Sequence, residues 1–352
     1  MTLSSRSICL KVSTVATFLL IFQSSHAQLS QMDTASLSGL MEQKARLLRN
    51  NNLVLAVASK DTIVYKNDTK FFNVGRGQGE AGYISEWFTT ALALMLVDEG
   101  KFALDDKVVD YLPEFGKYGK NYITIRHCLT HNTGIQVPSK PELFDSYKGE
   151  SFEKVANSLA SKEIQTNPGT EFRYSDRGYY IVAAIIEKVT KRKFEQLMSQ
   201  RLFRPLGMRG SGFLSLDGSL VSPAFGAKTT AADLTSFGRL LLNGGNWRGQ
   251  QLLQAESVEQ FRALVTPAAD VKGAPREALG HDYALGGWVL EAGGNKATAL
   301  AMPSFGGTAA VIDFCRGYVF AYLLKETDKD KKAEALLDIK ATIDGGAEVK
   351  CQ

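Results

Sequence analysis

A serine hydroxyl and a lysine amine three positions apart on a helix share one face and can act as nucleophile and base. The sequence holds one such match, Ser151-Phe152-Glu153-Lys154. With 25 serines in 352 residues, a chance match of this kind is expected. A second polar group is Tyr174-Ser175-Asp176, a phenol beside an acid at the start of an apolar run. Ser175 or Asp176 is also well suited to cap a helix beginning at Arg177. His127, His131 and His281 share no His/Cys/carboxylate spacing that would hold a metal. The first two fall in a compact block ending at Gly134 and are read as structural; His281 is read as a loop residue. Neither a metal nor a cofactor is expected.

The elements that must carry these residues are legible from periodicity. Leu37, Leu40, Met41, Ala45 and Leu48 keep a helical spacing within 28–50. Leu53 to Ser59 and Thr62 to Lys66 are β-type runs across a short turn, a hairpin. A Gly-rich stretch, Gly75 to Gly82, precedes a strongly apolar helix over Trp87 to Glu99. Helical patterns follow at Thr124–Leu129, Phe152–Ser161, Gly178–Val189, Phe194–Leu202 and Ala231–Asn243. Strand patterns return at Ala284–Glu291, Ala297–Met302, Ala309–Phe314 and Tyr318–Leu324, before a last helix over Lys331–Ile343. Late strands joined by short turns must run antiparallel, because a parallel return needs a long crossover. The expected fold is therefore α+β. One antiparallel sheet is flanked by the terminal helices (about 28–82 and 283–352), and a mainly helical lobe (about 83–282) stands beside it. A ligand groove is expected between the lobes.

Composition excludes several classes. At 44% hydrophobic and 22% charged, the chain has apolar content for a sizeable core. With 41 basic and 37 acidic residues and no basic block, nothing points to nucleic acid. Arg6, Lys11, the apolar run Val12–Phe22 and Ser25-His26-Ala27 read as a signal peptide, residues 1–27, cleaved before Gln28. That run is too short to span a bilayer, and no later segment is long and apolar enough. A periplasmic or secreted protein is expected. Cys128, Cys315 and Cys351 remain after cleavage; three is odd, and Cys128 and Cys315 are read most simply as core residues. Asn67-Asp68-Thr69 is a glycosylation sequon by pattern alone.

Ordered blocks give a more specific reading. They are Leu96-Val97-Asp98-Glu99-Gly100-Lys101 with Tyr111-Leu112-Pro113-Glu114-Phe115; Ile125 through Gly134; Asn167-Pro168-Gly169-Thr170 through Ser175; Pro205-Leu206-Gly207-Met208; and Ala232-Asp233-Leu234 with Leu242-Asn243-Gly244-Gly245. In this order the chain resembles the serine β-lactamase-related hydrolases: class C β-lactamases, D-alanyl-D-alanine carboxypeptidases and related esterases. The resemblance implies a two-lobed β-lactamase/transpeptidase-like fold and a site for peptidoglycan-type peptides or small esters and amides. It places the family's Ser-x-x-Lys serine on Tyr83 and its lysine on Glu86. The family's Tyr-x-Asn reads Tyr174-Ser175-Asp176. Its strand motif falls on Pro303-Ser304-Phe305-Gly306-Gly307-Thr308, with no His or Lys where the basic residue belongs. Ser85 lies two helical positions away from the aligned serine, roughly 200° around the axis.

These replacements imply a catalytically degenerate relative that binds a ligand or partner in the groove, with Phe305, Gly306, Gly307 and Thr308 lining it. Two alternatives stand beside this. One is an active hydrolase using Tyr83, Glu86, Tyr174 and Asp176 in altered tyrosine/carboxylate chemistry. The other is a structural envelope protein. A plain structural role for Glu86 is pairing with Arg173 or Arg177.

Overall fold

The structure is a computed structural model that describes residues 34–47, 53–67, 78–137, 150–215, 218–274, 278, 280–303, 307–324, 329–347, 349 and 351. The signal-peptide segment, Gly75 and Gly77 of the Gly-rich stretch, and Ser304, Phe305 and Gly306 lie outside the described residues.

An eight-stranded sheet forms the centre of one lobe. Its strands are β1 (Leu53–Ser59), β2 (Ile63–Asn67), β3 (Leu264–Thr266), β4 (Asp282–Ala284), β5 (Gly287–Gly293), β6 (Lys296–Pro303), β7 (Thr308–Asp313) and β8 (Tyr318–Leu324). The spatial order is β2-β1-β8-β7-β6-β5-β4-β3, and every neighbouring pair is antiparallel. The N-terminal hairpin thus joins the late strands through β1 and β8, in register Leu53↔Leu324 to Ser59↔Tyr318. The sheet also takes in β3, earlier in the chain than residue 283. A three-residue strand carries too little alternation to stand out in the sequence.

Period-two alternation gives β1 two apolar faces. Leu53, Leu55 and Val57 face a cluster with Leu37 and Met41 of α1 (Thr34–Leu47) and Ile339 and Ile343 of the C-terminal helix Lys329–Asp344. Val54, Ala56 and Ala58 face the larger core shared with the helical lobe. There the helix Ala231–Leu242 lies close against β8. A Cβ on its Gly238 would stand 2.4 Å from Val319 Cγ2, so the missing side chain sets that approach.

The helical lobe is built around α2 (Ile84–Asp98), whose residues Ile84 to Leu96 are all buried. A helix apolar on all sides belongs in a core. Beside it stands α5 (Arg177–Thr190), against which α3 (Ile125–Leu129) and α4 (Phe152–Ala160) pack in turn. Gly178, at the start of α5, touches α3: a Cβ there would lie 2.0 Å from the Cys128 carbonyl oxygen. This contact seats the segment preceding α5, which carries Tyr174, beside the loop that follows α3. Cys128 is a buried thiol, as expected for a core residue. Cys315 is not simply a core residue. It forms a disulfide with Cys351, closing the turn between β7 and β8 onto the C-terminus.

Candidate functional site

The turn before α2 is fixed from both sides. The Ala81 N–H donates to Ala227 O at 2.8 Å, and Gly82 takes a φ of 54°. Tyr83 then occupies the N-cap position without a side-chain cap bond, and Glu86 lies in the first turn. Residues three apart share a helical face, so phenol and carboxyl lie one above the other.

Tyr83 is only 6% exposed. Its ring stands edge-on to Tyr174, centroids 4.8 Å apart, and packs on Phe225 at 4.5 Å. Tyr174 follows a two-residue strand, Phe172–Arg173, which pairs in parallel with Val271–Lys272. Its hydroxyl donates to Glu86 Oε2 at 3.0 Å. Glu86 is 1% exposed.

His131 completes the cluster. Its Nε2 lies 3.5 Å from Glu86 Oε2 and 3.1 Å from the Tyr283 hydroxyl. Its Nδ1 lies 2.8 Å from the Ser175 carbonyl oxygen. The Ser175 N–H also points at Nδ1, at 3.3 Å, so this nitrogen sits against both the carbonyl and the amide of one residue. His131 holds a left-handed backbone, φ 57°, a conformation that costs about 1–2 kcal/mol for a residue with a Cβ. The ring is thus held by hydrogen bonds on both nitrogens from a strained backbone position. The block containing His131 was read as structural; the structure instead sets its ring against the Glu86 carboxyl. Tyr283 was also missed. It reaches His131 across 152 residues of chain, and no local pattern marks such a partner.

Electrostatics follow from this burial. Desolvation pushes the Glu86 carboxyl above its usual range; His131, Tyr174 and Tyr283 pull it partly back. Burial, then the nearby Glu86, raises the Tyr174 phenol well above its ordinary value. Tyr179 and Tyr283 are raised for the same principal reason. The cluster therefore favours protonated phenols over phenolates.

The remaining candidates separate clearly. Ser85 is buried and its Oγ accepts from the Ala227 N–H at 3.1 Å. Ser151 is the N-cap of α4, its Oγ accepting from the Lys154 N–H at 3.2 Å, which accounts for the Ser-x-x-Lys match. Asp176 stands at the N-cap position of α5 without a side-chain cap bond there. The pairing of Glu86 with Arg173 or Arg177 does not occur: Glu86 is held by tyrosines and His131, and Arg173 pairs with Glu171. Thr308 donates from Oγ1 to the Glu80 carbonyl at 2.6 Å, three residues before Tyr83, and Gly307 has φ 82°. His127 accepts the Thr124 N–H in a capping box, and His281 lies 3.1 Å from the Val289 carbonyl. Among the described residues no group of three or more His, Cys, Asp or Glu could hold a metal, and no helix is long and apolar enough to cross a membrane.

A phenol, a buried carboxyl and an imidazole in this arrangement can hold a polar group but offer no small nucleophile beside a base. Similarity to known proteins gives this cluster its context. Penicillin-binding protein 4 of Amycolatopsis lactamdurans is 26% identical over 241 residues, 59% of this chain and 62% of that protein. Protein flp of Staphylococcus aureus strain MW2 is 28% identical over 168 residues, 43% of this chain and 34% of that protein. The chain thus spans less than two thirds of the length of these curated relatives. Among solved structures, EstCE1, a hydrolase with promiscuous acyltransferase activity, superposes with a TM-score of 0.72 at 19% identity, covering 88% of this chain and 98% of its own. A penicillin-binding protein homolog from Caulobacter crescentus superposes with a TM-score of 0.71 at 17% identity, covering 88% and 97%. The sequence model of the β-lactamase family matches residues 87–342, and the chain belongs to that family.

Proposed function

We propose that this protein is a β-lactamase-related chain without acyl-enzyme chemistry, which binds a ligand in the groove between its lobes. The observation that carries this reading is Tyr83, buried at 6% exposure and wedged between Tyr174 and Phe225 where the family nucleophile belongs. A phenol ring occupies the space an attacked carbonyl would need. Beneath it Glu86, an anion when ionised, opposes formation of a neighbouring phenolate instead of promoting it. The two serines that could stand in, Ser85 and Ser151, spend their hydroxyls on backbone N–H groups. The site positions in this reading are Tyr83, Glu86, Tyr174 and Asp176, with Gly307 and Thr308 beside them.

The altered-chemistry reading rests on the 3.0 Å contact between Tyr174 and Glu86. It is the weaker one. Burial holds the Tyr174 phenol protonated and so removes the phenolate that such chemistry needs. Export to the periplasm or outside the cell accords with the N-terminal signal pattern and with the Cys315–Cys351 disulfide, since disulfides persist in oxidising compartments. Ligands of the family's class, peptidoglycan-type peptides or small esters and amides, are the first to test.

The test is covalent labelling. The purified protein should take up neither fluorescent penicillin nor a fluorophosphonate, and should not turn over nitrocefin above background. Stoichiometric labelling at any serine would overturn the reading, and mapping that serine would show which one had been misjudged.

A further inference from the structure

Several buried polar atoms of this neighbourhood lack a hydrogen-bond partner: the indole nitrogens of Trp87 and Trp288, and one oxygen of Glu86. Glu86 Oε2 accepts from Tyr174 and faces His131, but Glu86 Oε1 is buried and has no hydrogen-bond partner. A buried, unpartnered carboxyl oxygen costs about 1–3 kcal/mol, more when charged. Such a group calls for an explanation. Tyr174, whose hydroxyl bonds the other Glu86 oxygen, packs against the rings of Tyr83 and Trp288, with centroids 4.8 and 5.6 Å away. Aromatic faces beside a carboxylate make a site that attracts organic cations. The resemblance aligns Glu86 with a lysine and Asp176 with an asparagine, so both substitutions shift the groove towards negative charge.

We propose that this groove takes a primary ammonium group, which donates to Glu86 Oε1 once the Tyr83 ring swings aside. The inference rests on the ligand-binding reading above and narrows it to a ligand class: small amines such as D-amino-acid amides, whose amino group is free, in preference to carboxylates. In this proposal Tyr83 is the lid: it stands at the N-cap of the helix, three residues before Glu86, and packs on Tyr174, which holds the Glu86 carboxyl. The groups facing Glu86 come from several elements: His131 from the loop after α3, Tyr174 from the segment before α5, Tyr179 from α5 and Tyr283 from β4. Of these only His131 can carry a positive charge, and it faces Glu86 Oε2, so the incoming ammonium is assigned to the other oxygen, Oε1.

Proton linkage gives a second readout. Burial raises the Glu86 carboxyl, which favours its protonated form in the empty protein. An ammonium pairs with the ionised form. Binding should therefore release a proton, and affinity should rise as pH climbs through the raised Glu86 titration while the α-ammonium stays charged.

The experiment uses three matched probes with the whole protein in titration calorimetry: D-alaninamide, a cation; N-acetyl-D-alaninamide, neutral; and N-acetyl-D-alanine, an anion. D-alaninamide should bind at least about tenfold tighter than either acetylated probe, as a charged hydrogen bond provides. Glu86→Gln should abolish that preference and the proton release, which is measured by repeating the titration in buffers of different ionisation enthalpy. Tyr83→Ala, which keeps Glu86 and removes the lid, should bind D-alaninamide no more weakly than the parent and guards against misfolding in the first variant. Preference for the neutral or anionic probe would overturn the ammonium inference while leaving groove binding intact. So would a cation preference that survives in Glu86→Gln. Absence of binding by all three probes to both the parent and Tyr83→Ala would overturn both.

Discussion

Glu86 and Tyr83 stand where the resemblance puts the family's lysine and serine, and both are buried. The Glu86 carboxyl titrates above its ordinary value near 4.5 because it is desolvated. Between that ordinary value and its raised one, the folded protein binds more protons than the unfolded chain. Its contribution to stability is therefore fully present below the unfolded pKa and lost as pH rises through the folded one. Glu86→Gln removes that titration, so the stability difference between parent and variant should shift against the parent as pH rises from about 4 to 8. Thermal unfolding across that range checks it, and a constant difference would count against a raised Glu86. Reconstruction gives the complementary prediction. Tyr83→Ser with Glu86→Lys restores a small hydroxyl and a base on one helical face, and should yield detectable labelling by fluorescent penicillin. Neither single change should do so, because nucleophile and base act as a unit. Unlabelled double variant with native circular dichroism would mean that the groove is also degenerate outside α2.

At the scale of elements, the site depends on contacts that admit no side chain. Gly178 seats α5 against the end of α3, with the Cys128 carbonyl 2.0 Å from the place a Cβ would take. The obstacle is backbone, which cannot rotate away. Gly178→Ala should therefore cost about 1–3 kcal/mol, the range for overpacking, and should loosen the Tyr174–Glu86 contact as well as the fold. Denaturant unfolding measures the first effect, and the accessibility of Tyr174 to solvent-borne quenchers the second. Ser151→Ala should behave differently. It removes the cap of α4, costs about 1 kcal/mol, and leaves ligand binding unchanged; loss of binding would revive Ser151 as a site residue. These elements also show what the sequence discloses. Strands β1, β2 and β5 to β8 run over five to eight residues, and helix α2 is unbroken apolar from Ala91 to Val97, so their signals are local. Strand β3 is too short to show alternation. The His131–Tyr283 contact joins residues 152 apart, and only the closed fold creates it. Tyr83, Glu86 and Tyr174 were reached through ordered family blocks, whereas nothing in those blocks set His131 apart from its polar neighbours.

Across the whole molecule, the C-terminal segment is fastened to the sheet by two different means. The helix Lys329–Asp344 covers one face of the sheet and carries a buried ionic cluster. Lys340 Nζ lies 2.7 Å from both Glu291 and Asp344 and 3.2 Å from Asp313, while Arg316 pairs with Glu291 at 2.7 Å and Asp313 at 2.8 Å. Two cations thus bridge three carboxylates, a network that loses several kcal/mol if one partner is removed. Just past this helix, Cys351 is joined to Cys315 over a separation of 36 residues. Closing a loop of that length stabilises by about 4 kcal/mol in the chain-entropy account. Because the ionic cluster fastens the helix independently, Cys351→Ser should lower the melting temperature by roughly 5–10 °C and leave the circular dichroism native. Export and the disulfide can be read together from one thiol count on denatured protein taken from its natural host. Cys9 lies in the segment expected to be removed, Cys128 is the buried thiol, and Cys315 and Cys351 are paired. A cleaved and oxidised chain therefore has one free thiol and an intact, uncleaved one has two. Three thiols would mean cleavage without the bond, and four neither. One thiol is the expected result, and any higher count identifies which of the two processes fails.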